Sequence, residues 1–77
     1  MKLQVNNSGA WKNVLTFGVE HLEPVTQAAQ GLTDIAMLAG EAVTWRILDA
    51  TETPVLIADK FGKWKAPVWM LGREIVP

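Results

Sequence analysis

Val43-Thr44-Trp45-Arg46-Ile47-Leu48-Asp49-Ala50-Thr51-Glu52-Thr53-Pro54-Val55-Leu56-Ile57-Ala58-Asp59 is the stretch whose reading decides the fold. Val43, Trp45 and Ile47 alternate with Thr44 and Arg46, the two-residue period of a strand with one buried face. A short run of turn formers follows, after which Val55 to Ile57 returns as a β-branched and aliphatic run. The whole reads as a β-hairpin. A lone hairpin is marginal in water, so its apolar face requires a cover.

The cover lies just upstream. From about residue 20 the period changes, and Leu22, Val25, Ala29, Leu32, Ala36 and Ala39 follow at steps of three or four, one apolar stripe along a helix of about five turns. Glu20 and Glu23 suit the positive end of the helix dipole, and Pro24 is compatible only with the first turn, which places the helix start between residues 20 and 23. Gly31 at mid-helix implies a close approach to the sheet, and Gly40 is the expected terminator.

Working outward, Lys2 to Asn6 alternates as a first strand, and Asn6-Asn7-Ser8-Gly9 supplies a turn. Residues 10 to 17 then form a second strand, with Trp11, Asn13, Leu15 and Phe17 sharing one face and Val14 apolar on the other. On the far side of the hairpin, Lys60-Phe61-Gly62-Lys63 is a turn and Trp64 to Met70 a last strand, confined to a sheet edge or a bulge by Pro67, which donates no ladder hydrogen bond. Leu71, Ile75 and Val76 make the tail too apolar for a solvated one. The expected architecture is α+β: one domain over residues 1–77, two layers, order ββαβββ, with one helix across a mostly antiparallel sheet. A small curled barrel plugged by the helix is the alternative.

Composition limits what such a domain can do. The chain has 77 residues, no cysteine, a net charge of −1 and 49% hydrophobic residues, four of them Trp. Neither disulfides nor a Cys/His zinc site can staple it, so apolar packing must stabilise it. The balance of charge gives no global attraction to nucleic acid or to an anionic membrane. No apolar run approaches the roughly 20 residues of a membrane span, and the N-terminus lacks the apolar core of a signal peptide, so the expectation is a soluble, cytoplasmic protein.

The catalytic inventory is small: one Ser, one His, no Cys and no Tyr. Ser8 lies in a turn and His21 at a helix start, with no sequence reason for them to meet. Glu20, His21 and Glu23 fall within one turn, but they lack the spaced pattern of a metal site. The six glycines show neither dinucleotide-binding nor P-loop spacing. The expectation is no enzyme, no cofactor and no metal.

Interaction chemistry is better represented. Four Trp exceed what a core of this size readily seats, and Trp is the residue most enriched at interface hot spots. Trp45 belongs in the core through its alternation with Val43 and Ile47, and Trp11 through Leu15 and Phe17. Trp64 and Trp69 are five positions apart, so in an unbroken strand they face opposite sides of the sheet and one is exposed. These observations point to a non-enzymatic protein-interaction module, a self-associating homo-oligomer component or a small adaptor or inhibitor of a larger protein, with Trp64, Trp69, Phe61, Lys63 and Lys65 as its contact residues. Accessory proteins of bacteria and their phages offer the nearest analogy of composition. The alternative uses the basic and aromatic run Lys60 to Lys65, with Arg73, to bind single-stranded nucleic acid, Lys neutralising phosphates while rings stack on bases.

Overall fold

The computed structural model describes residues 1–66. Pro67, Trp69, Arg73 and the apolar tail lie outside the described residues. The elements are β1 (Lys2–Asn6), β2 (Trp11–Thr16), a 3-10 turn (Val19–His21), α1 (Leu22–Leu38), β3 (Thr44–Leu48), β4 (Pro54–Ala58) and β5 (Trp64–Lys65). The chain is therefore α+β with the order ββαβββ. The five strands among the described residues form one sheet in the order β2-β1-β3-β4-β5, antiparallel throughout. The helical connection carries the chain from the β2 edge back across β1, so that β3 pairs with β1.

Alternation assigns the two faces. Leu3, Val5, Val43, Trp45, Ile47 and Ala58 belong to the side that α1 covers, and Leu3, Val43, Trp45, Ile47 and Ala58 join Phe17 and Ala29 in the core cluster. Trp45 is only 4% exposed. Its indole N–H donates to the Thr33 hydroxyl at 2.9 Å, and that hydroxyl donates to the Ala29 carbonyl at 2.9 Å. Thr33 is the one fully buried polar residue among those described, and it is buried because both capacities of its hydroxyl are used.

The helix differs from its expected stripe. Its covered arc runs through Leu22, Val25, Ala29, Thr33 and Ala36, while Leu32 is 52% exposed and Ala39 is also exposed. The reason is the indole: a helix above Trp45 needs small residues and an acceptor at the contact, and the Ala29/Thr33 arc supplies both. Gly31 consequently points away from the sheet, and a Cβ there would meet nothing within 4 Å, so the expected close approach does not exist. The C-terminus is as expected. Gly40 takes φ 76°, Glu41 N–H bonds Ala36 O at 2.8 Å and Gly40 N–H bonds Met37 O at 3.1 Å, the Schellman pattern that satisfies the last free carbonyls.

The β2 strand also departs from simple alternation. Leu3 pairs with Leu15 but Gln4 with Asn13, so Val14 is the extra residue of a β-bulge. Beyond the bulge the parity is reversed. Trp11 and Asn13 do not share the face of Leu15; they stand on the outer face of the sheet, and Trp11 is not part of the core.

The two turns of the β3-β4-β5 meander are the same device twice. In each, an Asp N–H bonds the carbonyl four residues on (Asp49 to Thr53, 3.0 Å; Asp59 to Lys63, 3.1 Å) and the Asp carbonyl accepts from the residue three on (Glu52, 3.0 Å; Gly62, 2.9 Å). The Asp49 carboxylate accepts from Thr51 N and Thr53 N, and the Asp59 carboxylate from Phe61 N and Lys63 N. Hydrogen bonding holds both carboxyls below their ordinary range: for Asp49 chiefly the Thr51 hydroxyl, for Asp59 chiefly the Lys63 amide. The left-handed position is Gly62 in the second turn but Glu52 in the first, at φ 61°. There the Glu52 carboxylate pairs with Lys2 at 2.8 Å, tying the turn to β1.

Candidate interaction surfaces

A five-stranded sheet is about 19 Å wide at the usual strand spacing, whereas one helix is about 10 Å across. One helix cannot cover such a sheet, and α1 leaves the β2 flank open. There Val14 and Leu15 are 46% and 43% exposed, facing Pro24, Ala28 and Leu32 across a groove floored by Leu3 and Trp45. The bulge brings Val14 to the groove beside Leu15. This pocket is about 320 Å³ and almost wholly apolar; a second one of about 660 Å³, sharing Leu32 and Trp45, continues past Ala36 to Asn7 and Glu41. The groove thus follows the helix for most of its length. Its helical wall includes Ala28 and Leu32, and Ile35 and Ala39 continue their spacing of three and four along the helix, a second apolar stripe beside the covered one.

The opposite flank of α1 is polar. Glu23, Thr26, Gln27, Gln30 and Asp34 occupy it, linked by Gln27 to Glu23 at 3.3 Å and Gln30 to Asp34 at 3.0 Å. Trp64 lies below this flank, half-buried on the helix-facing side with Leu22, Thr26 and Leu56 around a shallow pocket. Its indole nitrogen is buried and has no hydrogen-bond partner among the described residues. Phe61, 54% exposed, stands at the tip of the β4-β5 turn, with the Lys60 ammonium 5.3 Å from its ring centre. Lys63 and Lys65 are exposed, Lys65 on the outer face opposite Ile57. The structure therefore brings Phe61 and Lys63 together at a turn and separates them from Trp64, which packs inward.

The outer face of the sheet carries a cross-strand row that is polar except at Ile57. Asn13, Gln4, Arg46, Ile57 and Lys65 are successive cross-strand partners, one from each strand. The Gln4 amide donates to Asn13 Oδ1 at 2.7 Å, and Arg46 Nε donates to Gln4 Oε1 at 2.6 Å. The Arg46 guanidinium lies 4.3 Å from the centre of the Trp11 ring. Sequence reasoning missed this cluster because Trp11 was assigned to the core. The available signal was Val14 and Leu15, two adjacent apolar residues in an alternating strand, which marks a bulge.

Ser8 is exposed in the β1-β2 turn and His21 is exposed beyond the other end of β2, so the strand separates them. His21 Nε2 lies 3.7 Å from Glu20 Oε1. Among the described residues no group of three His, Asp or Glu is placed to hold a metal ion, and no helix is long and apolar enough to cross a membrane. Comparisons with protein-family models, curated proteins and solved structures found no match to this chain.

Proposed function

We propose that this chain is a non-enzymatic protein-interaction module that works through the groove between α1 and β2, self-associating there in the first instance. The observation that carries the reading is the apolar rim: Val14, Leu15 and Leu32 are 43–52% exposed beside a floor that includes the core residues Leu3 and Trp45. Covering each of them recovers about 1 kcal/mol, roughly half the value of fully burying such a side chain. Continuous apolar surface rimmed by polar residues is a signature of a contact site. This reading takes its contact residues from the β2 flank, whose side chains are uncovered, rather than from Trp64, which is turned toward the helix. A small adaptor that presents this groove to a larger protein is the same reading with a different occupant.

The test is association across a concentration series up to the millimolar range, by sedimentation or light scattering, on the parent and on Leu32→Glu. The parent is expected to associate as concentration rises. Leu32→Glu should remain monomeric and melt within a few degrees of the parent, because its side chain starts half in solvent. A parent that stays monomeric throughout and binds no apolar fluorescent dye would overturn the proposal.

A further inference from the structure

We infer that the outer face of the sheet is a binding site for single-stranded nucleic acid, independent of the α1-β2 groove. The net charge of −1 is unevenly placed: the carboxylates of the described residues all lie on the helix, its flanks and the turns, whereas the five strands carry Lys2, Lys12, Arg46 and Lys65 and no acidic residue. By register, Lys2, Arg46 and Lys65 fall on the outer face. That face meets the three needs of a single-strand site. A cationic track neutralises phosphates, an aromatic ring offers a stacking platform, and amide and guanidinium groups present hydrogen bonds to base edges.

Arg46 and Trp11 are the centre of the site. Arg46 is held by Gln4 at 2.6 Å and stacked on Trp11 at 4.3 Å, so its guanidinium is ordered before any ligand arrives. Such order reduces the entropy lost on binding. Trp11 remains partly exposed, leaving ring surface on which a base can stack. Gln4 and Asn13 continue the row with amide groups of the kind that read base edges. Lys65 stands two strands from Arg46 along the same row, about 10 Å away at the usual strand spacing. Lys2, at the end of the face, is paired with Glu52, so this carboxylate restrains one of the three cations.

The experiment is fluorescence anisotropy of a labelled oligothymidine of about ten nucleotides, within the usual span of a small single-strand site. It is titrated with the parent chain at low salt and then at increasing salt. Two or three phosphate contacts predict that log K falls against log salt with a slope of about −1.4 to −2. Trp11→Ala and Arg46→Gln should each weaken binding about tenfold or more, with circular dichroism confirming an unchanged fold. Glu52→Gln, which releases Lys2, should tighten it by severalfold. Leu32→Glu should leave it unchanged, so failure of this inference and failure of the groove reading are distinguishable. Absence of binding at low salt overturns the inference. So does binding that Lys60→Gln and Lys63→Gln abolish while Arg46→Gln leaves it intact, which would assign the ligand to the β4-β5 turn. A duplex or an inorganic polyphosphate binding as tightly as the oligomer, with no response to Trp11→Ala, would also overturn it.

Discussion

Trp45 and Trp11 stand two strands apart in one sheet and have opposite fates. Trp45 faces the helix, is 4% exposed and spends its only polar atom on Thr33. Trp11 faces outward, lies against the Arg46 guanidinium and is partly exposed. Both sit in stretches of alternating polarity, and composition does not separate them. What separates them is register. The β3 strand keeps strict parity from Thr44 to Ile47, whereas β2 inserts Val14 and reverses its parity from Asn13 backward. One extra residue in an edge strand thus decides whether an indole faces the helix or stands on the outer face of the sheet.

The largest test of that contrast is Trp45→Ala. Removing a buried indole costs about 3–5 kcal/mol, and a domain of this size has a total stability near the low end of about 5–15 kcal/mol. The variant should be largely unfolded at room temperature by circular dichroism. A Trp45→Ala protein that melts like the parent would mean that the two faces of the sheet have been exchanged.

A second change isolates the polar half of the Trp45 site. Thr33→Val keeps the shape but leaves the indole N–H without an acceptor, for which a loss of about 1–3 kcal/mol is expected. Thr33→Ser keeps the hydroxyl and loses one methyl group, a cost of about 1 kcal/mol. Chemical denaturation of the pair ranks them. If Val and Ser prove equally destabilising, packing rather than the hydrogen bond holds Trp45 under the helix.

The sequence was legible wherever a period ran unbroken. Val43 to Ile47 placed Trp45 in the core, the turn formers at Asp49 and Lys60 placed two hairpin turns, and Gly40 placed the end of the helix. It misled where a single contact overrode the pattern. Leu32 looked like core by hydrophobicity, but the arc beneath the helix had to accommodate an indole and accept its N–H, and Thr33 does that while Leu32 cannot. The surfaces were least legible, because both depend on the tertiary arrangement. The groove exists because one helix is narrower than five strands, and the outer cluster joins residues from β1, β2 and β3 that are as many as 42 positions apart in sequence.

The smallest expected effect gives the sharpest test of the register. Val14 has no partner on β1: the ladder steps from Leu3 opposite Leu15 to Gln4 opposite Asn13. Deleting Val14 therefore keeps every existing pair and turns β2 into a regular strand, with Leu15 still toward the helix and Trp11 still outside. The loss is one half-exposed side chain, so stability should change by about 1 kcal/mol or less. In an unbulged strand the same deletion would instead move Trp11 and Asn13 to the opposite face, and a one-residue slip of that kind inverts a buried pattern. Thermal melts, together with acrylamide quenching of tryptophan fluorescence, separate the two cases. The expected deletion variant melts within several degrees of the parent and keeps the quenchable contribution of Trp11, which Trp11→Ala in the same background removes. A deletion that unfolds the protein, or that shields Trp11 from the quencher, would show that Val14 is an ordinary strand residue.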